Sequence, residues 1–277
     1  MHLSSDDYYY YLNLLKGFEG EMRFDELIEK LKEYCLILND LKLKIRRSSF
    51  QIDTLLIFFG KIIVCDITNY AGVHYRGKDK FTKLNGVIME NPDLQLQKTR
   101  VRLELLLLEL GCKMEVDAFV VYVNPEFTLL GAPADEQLLL PSQISGYFEN
   151  LHTGAKPTAE QKKLADALVK LHKPDYPSKM PKYRYNQLRK GIPCTACGAL
   201  LGTFSGHRQT CGNCGKKVNV KKAIKNSIED FRLLFPNEPV TSAHMTDWCG
   251  IGRRDRIFRV LRKEYTSKGS GNARYYE

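Results

Sequence analysis

Apolar residues recur at helical spacing early in the chain. Leu12, Leu15, Phe18 and Met22 lead on to Phe24, Leu27, Ile28 and Leu31, so a helix is expected over residues 8–33. Gly17 and Gly20 are expected to interrupt or kink it. The period then shortens. Tyr34 to Leu38 reads as a strand ending at Asn39-Asp40, and two β-rich runs, 51–59 and 62–68, flank Gly60-Lys61 as a hairpin. Residues 71–90 carry glycines and charges and read as loop. Asn91-Pro92-Asp93 suits a helix start, and Gly111 suits the cap at its end. Val116 to Val123 reads as a strand stopped by Asn124-Pro125. The order of helix, three strands, helix and strand predicts an α/β domain with a mixed sheet over residues 1–150.

Beyond it, residues 131–157 read as loop with short apolar pieces. Thr158 to Lys170 reads as a helix opened by a Thr158-x-x-Gln161 capping box. Residues 151–187 form this helix and the start of a basic linker over 173–193, stiffened by Pro174, Pro177, Pro181 and Pro193. Residues 188–220 contain a cysteine module, and 221–277 a small helical module.

The hairpin carries the first candidate chemistry. With Gly60-Lys61 as the loop, Phe59 pairs with Ile62, Asp53 falls opposite Thr68, and Leu55 opposite Asp66. Asp53, Asp66 and Thr68 then share one face. Two carboxylates inside apolar strands are costly unless paired or bound to a cation, and a hard divalent ion suits them.

Two CxxCG knuckles, Cys194-Thr-Ala-Cys197-Gly198 and Cys211-Gly-Asn-Cys214-Gly215, supply four thiolates. That spacing predicts a closed, structural zinc ribbon rather than a redox pair. His207 inside the ribbon is then a surface residue. Cys35, Cys65, Cys112 and Cys249 read as buried thiols.

Near the C-terminus, Thr241 to Gly250 reads as a short capped helix. Gly250-Ile-Gly252 turns into a second helix, Arg253 to Tyr265. Ile257, Phe258, Leu261 and Tyr265 lie on one side of it, with Arg253, Arg256, Arg259 and Lys263 on the other. Lys268 to Tyr276, including Arg274, suits a glycine-turned wing. Helix, turn, basic helix and wing together resemble a winged helix-turn-helix, with Arg253, Arg254, Arg256, Arg259, Lys263, Lys268 and Arg274 as candidates for nucleic-acid contacts. Trp248, the single tryptophan, reads as core.

Charge sharpens this division. The chain's 277 residues carry a net +10, unevenly: residues 1–150 hold 17 basic against 22 acidic side chains, 151–215 hold 11 against 3, and 216–277 hold 14 against 7. An acidic first domain suits a cation site, and a basic remainder suits a polyanion. Apolar runs are too short to span a membrane, and Asp6, Asp7 and Tyr8 to Tyr11 lack the basic start of a signal peptide. A cytoplasmic protein is expected.

Gly20-Glu21, Gln51-Ile52-Asp53, Asp66-x-Thr68-Asn69-Tyr70 and Asn91-Pro92-x-x-Gln95, in this order, resemble the nuclease-related domain (NERD) family of the PD-(D/E)xK nuclease superfamily over about residues 15–125. The resemblance implies a restriction-endonuclease-like fold and Mg2+- or Mn2+-dependent phosphodiester hydrolysis, with double-stranded DNA as the expected partner. It implies Asp53 and Asp66 as metal ligands, the Ile67 carbonyl completing the shell, Glu21 binding a second cation or orienting water, and Gln95 steadying the site. The family's lysine is replaced by Thr68. Three readings stay open: Lys98, three residues after Gln95, serves instead, with Lys42 and Lys44 less well placed; the site works slowly on metal alone; or the domain binds nucleic acid without cutting it. A zinc-ribbon protein-interaction factor in transcription is a further alternative. Oligomeric state is open, a homodimer included.

Overall fold

The computed structural model describes residues 4–77, 80–132, 137–151, 155–174, 181–202, 204, 206–251 and 254–277. Gly252, Arg253 and Pro177, each part of an expected element, lie outside them. The chain groups into two compact units, one reaching to Pro181 and one running from Lys182 to Glu277.

The first unit opens with α1 (Ser5–Ile28), capped by the Ser4 side chain on the Asp7 N–H and followed by a 3-10 turn, Glu29–Glu33. The helix is unbroken, so neither glycine interrupts it. Gly20 serves a close approach instead: a Cβ there would meet Asn69 Cβ at 2.7 Å and Val123 Cγ2 at 3.4 Å, whereas Gly17 has open space around it. Gly20→Ala is therefore expected to destabilise, because the overpacking cost of about 1–3 kcal/mol exceeds the roughly 1 kcal/mol that alanine gains in a helix. Gly17→Ala carries only the gain. Thermal melts of the two variants should shift in opposite directions by a few degrees.

The main sheet has the order β1 (Leu36–Ile45), β2 (Ser48–Phe58), β3 (Lys61–Thr68), β7 (Glu115–Tyr122) and β9 (Leu138–Leu139). β1, β2 and β3 pair antiparallel, whereas β7 is parallel to β3 and β9 parallel to β7. The expected register of the hairpin is corrected by two residues. Phe58 pairs with Lys61 and Leu55 with Val64, and Phe59-Gly60 makes the turn, Gly60 taking φ +79°. A shift of two leaves every side chain on its expected face. The first strand also passes beyond Asn39-Asp40 to Ile45.

Residues 71–90, expected as loop, instead contribute β4 (Gly72–Arg76), β5 (Phe81–Lys83) and β6 (Ile88–Met89), which join β8 (Phe127–Leu130) in a second sheet. α2 (Pro92–Glu109) begins at an Asn91 cap and forms the parallel crossover from β3 to β7. α3 (Ile144–Glu149) falls in the stretch expected as loop. α4 (Ala159–Leu171) carries the expected capping box, and the Gln161 amide donates to the Phe58 carbonyl. One core, including Leu43, Ile52, Leu55, Val64 and Leu103, packs α2 and α4 onto one face of the main sheet. Another, including Phe24, Ile28, Leu56, Ile63 and Phe148, packs α1 and α3 onto the opposite face.

In the second unit, β10 (Arg208–Thr210) and β11 (Lys217–Asn219) pair as a hairpin whose loop carries the second cysteine knuckle. There follow α5 (Val220–Leu234), α6 (Ser242–Cys249), α7 (Arg254–Glu264), and a second hairpin, β12 (Ser267–Lys268) with β13 (Tyr275–Tyr276). Residues 183–193 are not a free linker. The Tyr183 hydroxyl donates to the Leu234 carbonyl, the Tyr185 hydroxyl to Asp247, and the Gly191 N–H to the Trp248 carbonyl. Trp248 is buried, with its indole N–H on the Ser227 carbonyl. Ile192, Cys194, Cys211, Trp248 and Ile257 share one core. Among the described residues, no helix is long and apolar enough to cross a membrane.

Candidate functional site

The apolar phase of β1 and β2 changes at one level of the sheet. Leu36 and Leu38 face the α2 side, then Leu41, Leu43 and Ile45; Phe50 and Ile52 face it, then Leu55 and Ile57. Each strand skips one position, and Asp40 absorbs its share with φ +50°. Asp53 lies at this kink, just beyond the last paired residues of β2 and β3, Thr54 and Cys65. The next step of that ladder sets Asp53 level with Asp66, not with Thr68 as expected. Freed from the regular ladder, the Asp53 carboxylate accepts the Ile67 N–H at 2.8 Å. Irregular strand pairing of this kind re-aims side chains and is common beside active sites.

Both carboxylates line an open cleft of about 640 Å³, together with Thr68, Tyr70, His74, Lys83 and Gln95. A groove of about 590 Å³ along α2 is lined by Asp53, Gln95, Lys98 and Arg102. The Asn91 cap, Pro92 in the first turn and an Arg76–Asp93 ion pair at 2.6 Å fix the start of α2. That start holds the Gln95 amide 3.4 Å from Asp66. Asn69 donates to the Lys16 carbonyl and accepts from Asn124, which binds α1 to the end of β3. With Gly20, it brings Glu21 toward Asp53.

The electrostatics of this cluster are one-sided. Burial, then Asp53 and Asp93, pushes the Asp66 carboxyl up to about 7. Burial raises Asp53, opposed by the Ile67 N–H and assisted by Asp40. Glu21 is pushed up to about 7 by burial, then by Asp53, Asp40 and Asp25. Asp53 thus disfavours ionisation of both Asp66 and Glu21, an arrangement that a divalent cation reverses. Glu21 does not complete a tight ligand set: among the described residues, the group of three or more candidate ligand atoms within 4.8 Å of one another is the four cysteines.

Thr68 is buried, a neutral hydroxyl where charge is expected. Lys98 shares the groove with Asp53 and Gln95, whereas Lys42 and Lys44 line neither cavity. Lys83, Arg102 and His74 are lining residues that the sequence pattern does not single out. His74 is buried, stacked on Tyr70 at 5.4 Å with Nδ1 3.2 Å from the Gly72 carbonyl oxygen, and its Nε2 has no partner. Its residence in a second sheet, where the sequence reads as loop, conceals it.

In the second unit, the four cysteines form a compact group. Cys194 and Cys214 sulfurs are 3.8 Å apart, and Cys197 and Cys211 sulfurs 3.7 Å. Each knuckle closes alike: the Gly198 N–H donates to the Cys194 carbonyl and the Gly215 N–H to the Cys211 carbonyl, with φ of +70° and +71° at the two glycines. The Ala196 N–H lowers the Cys194 thiol pKa, and the Asn213 side chain with the Ala199 N–H pulls Cys197 down to about 6. Both effects favour the thiolate that binds metal, whereas Cys214, although lowered by the Lys216 N–H, is pushed up to about 11 by the Cys197 sulfur, burial and the other two sulfurs. The cluster could hold a metal ion. His207 is exposed, as expected.

Among the basic residues of the C-terminal module, Arg254, Arg259, Lys263, Lys268 and Arg274 are exposed. Arg254 reaches the Ser242 hydroxyl at 3.3 Å, and Arg259 pairs with Asp255 and Lys268 with Glu277 at the surface. Arg256 departs from its expected free face. It is half-buried and donates to the Gly206 carbonyl at 2.7 Å, tying α7 to the ribbon. Phe258 lines a cleft with Arg254 and Arg274.

A mixed sheet with helices on both faces and a carboxylate pair at its kinked strand end define the first unit as an α/β domain. Residues 16–123 match the family model of the nuclease-related domain, which places Glu21, Asp53, Asp66 and Gln95 inside the matched segment. Among solved structures, the small subunit of the heterodimeric restriction endonuclease R.BspD6I is similar at 13% identity and a TM-score of 0.25, over 55% of this chain and 77% of that one. No curated protein sequence matches the chain.

Proposed function

We propose that this protein is a metal-dependent DNA nuclease whose C-terminal unit binds nucleic acid. The observation that carries the reading is the Asp53–Asp66 pair, level with one another in one cleft of a nuclease-related domain. Asp53, Asp66 and the Ile67 carbonyl would hold Mg2+ or Mn2+, which supplies charge stabilisation and an activated water when bound. The chain's own part is to orient. The Ile67 N–H fixes the Asp53 carboxylate, Gln95 steadies Asp66, and Glu21 accepts a proton near neutral pH. Lys98 supplies the positive charge that Thr68 cannot, from the groove beside Asp53.

The four cysteines hold zinc. Sulfur separations of 3.7 and 3.8 Å match the edge of a tetrahedron with Zn–S bonds of about 2.3 Å. Helices α5 to α7 and the β12–β13 hairpin act as a winged-helix-like domain, with Arg254, Arg259, Lys263, Lys268 and Arg274 meeting phosphates or base edges.

A second reading has its own observation. Thr68 is buried and neutral, which favours a domain that binds DNA and no longer cuts it. Incubating the protein with supercoiled, linear and single-stranded DNA in Mn2+ separates the two. Cleavage that survives neither Asp53→Ala nor Lys98→Ala supports the first reading with its relocated lysine. Cleavage that ignores Lys98→Ala removes that lysine from the mechanism. Absence of cleavage on every substrate, with salt-sensitive binding, supports the second. Removing a single phosphate-binding cation, as in Lys263→Ala, should reduce the log–log salt slope by about 0.9.

A further inference from the structure

The first helix carries most of its apolar residues in water. Of the 24 residues in Ser5–Ile28, only Gly20, Phe24 and Ile28 are buried. Tyr8, Tyr11, Leu15, Phe18 and Met22 are exposed to 50%, 51%, 37%, 59% and 47%. Their spacing is three, four, three and four residues, the a and d positions of a heptad. At 3.6 residues per turn, this stripe lies across the helix from Phe24 and Ile28, which seat it on the sheet. Two heptads of this spacing present one continuous apolar seam, the kind of face by which a helix packs on another helix.

The anchoring of this helix begins late. No described residue before Gly20 is buried, and the Asn69 amide reaches the backbone at Lys16. A helix of this length with an unburied N-terminal half is marginal in water, because helices in proteins draw their stability from packing an apolar face. The five stripe residues expose roughly 600 Å², and Leu14 at the flank of the stripe adds about 100 Å². A specific interface takes about 600–1,000 Å² from each partner.

We propose that α1 pairs with α1 of a second copy of this chain, in a two-stranded coiled coil along Tyr8, Tyr11, Leu15, Phe18 and Met22. A second copy is the occupant that fits. It presents the same period over the same length, so a two-fold contact meets itself, and the area on each side falls within the range that a specific dimer takes. The tyrosine hydroxyls can remain at the wet rim while their rings close the seam.

Sedimentation equilibrium of the full chain at about 10–100 µM tests this. Twice the chain mass of 31.8 kDa is expected. The double variant Leu15→Glu/Phe18→Glu should halve the mass while its far-UV spectrum keeps the β signal of the folded domain. Asn13→Glu, off the seam, should leave the dimer intact. A wild-type chain that sediments as a monomer overturns the proposal. So does a dimer indifferent to the double variant, or one that Asn13→Glu dissociates equally.

Discussion

Asp66→Asn is expected to raise the melting temperature of the metal-free protein at pH 8 while ending the DNA cleavage proposed for it. Burial, Asp53 and Asp93 hold the Asp66 carboxyl at about 7 in the folded state, against about 3.9 in an unfolded chain. Between those values the folded state keeps a proton that the unfolded state has released. Stability is therefore greatest below about pH 4 as far as this group is concerned, and it declines as pH rises through 7. At pH 8 the penalty is complete. Asparagine keeps the shape, can still face Gln95, and carries no charge to bury. A gain of about 1–3 kcal/mol follows, after allowance for sharing with Asp53 and Glu21, or roughly 2–10 °C for a unit of this size. At pH 3.5, where the wild-type carboxyl is largely protonated in the folded and unfolded states alike, the variant should melt close to the wild type. Mn2+ should raise the wild-type melting temperature at pH 8 and leave that of the variant unmoved. Cleavage should fall by at least about 10²–10³, the scale for loss of one charge-stabilising group. Calorimetry at the two pH values and a plasmid assay make the check. A variant that melts below the wild type at pH 8, or that still cuts, would sink this account of the cleft. The expected trade of stability against activity is common where a site concentrates like charges.

How much of this cleft is legible in the sequence depends on the kind of information each residue carries. Alternation by two is robust, so Asp53, Asp66 and Thr68 fall on one face even when the hairpin register is off by two. The register itself turns on whether Gly60 is the first or second residue of the turn, and the Phe58–Lys61 pairing has no marker in the sequence. The matching skips in β1 and β2 are visible only when both strands are aligned, because Asp40 must leave the extended region for Asp53 to be re-aimed. The second sheet is hidden by its short strands. Phe81–Lys83 and Ile88–Met89 are too brief for period two to rise above the charges and glycines around them. The glycine at position 20 reads as a helix breaker, yet its lack of a Cβ serves contact with Asn69. In the C-terminal unit, Val220, Ala223, Ile224, Ile228 and Phe231 form a buried helical stripe, yet Lys221, Lys222 and Lys225 between them make α5 resemble a basic tail. The cysteine knuckles are the most legible feature, since metal geometry constrains spacing directly.

Stripping the zinc proposed for the four cysteines is expected to unfold the C-terminal unit as a whole, not the ribbon alone. The reason is the shared core. Cys194 and Cys211 are buried among Ile192, Phe204 and Val218, and this cluster continues without a break to Ile224, Trp248, Ile257 and Leu261. Arg256 adds a polar tie from α7 to the Gly206 carbonyl. Zinc binding in small ribbons contributes about 10–16 kcal/mol at pH 7, which equals or exceeds the roughly 5–15 kcal/mol stability of an ordinary domain. A metal-free ribbon would leave thiols that repel or oxidise in place of a closed centre, and the helices packed on it would lose one wall of their core. Trp248 reports the outcome cleanly. It is the chain's single tryptophan, 6% exposed, with its N–H held by the Ser227 carbonyl. Treatment with a strong zinc chelator should shift its emission to the red, and Cys194→Ser should do the same without chelator. Nucleic-acid affinity should fall with it, since Arg254, Arg259 and Lys263 are presented by a helix that depends on that core. Cys112→Ser, at a half-buried thiol in the first unit, should leave the emission unchanged. Emission that stays blue after elemental analysis shows the zinc gone would mean that the apolar core holds these helices alone. The cysteine cluster would then be an accessory to the unit and not its foundation.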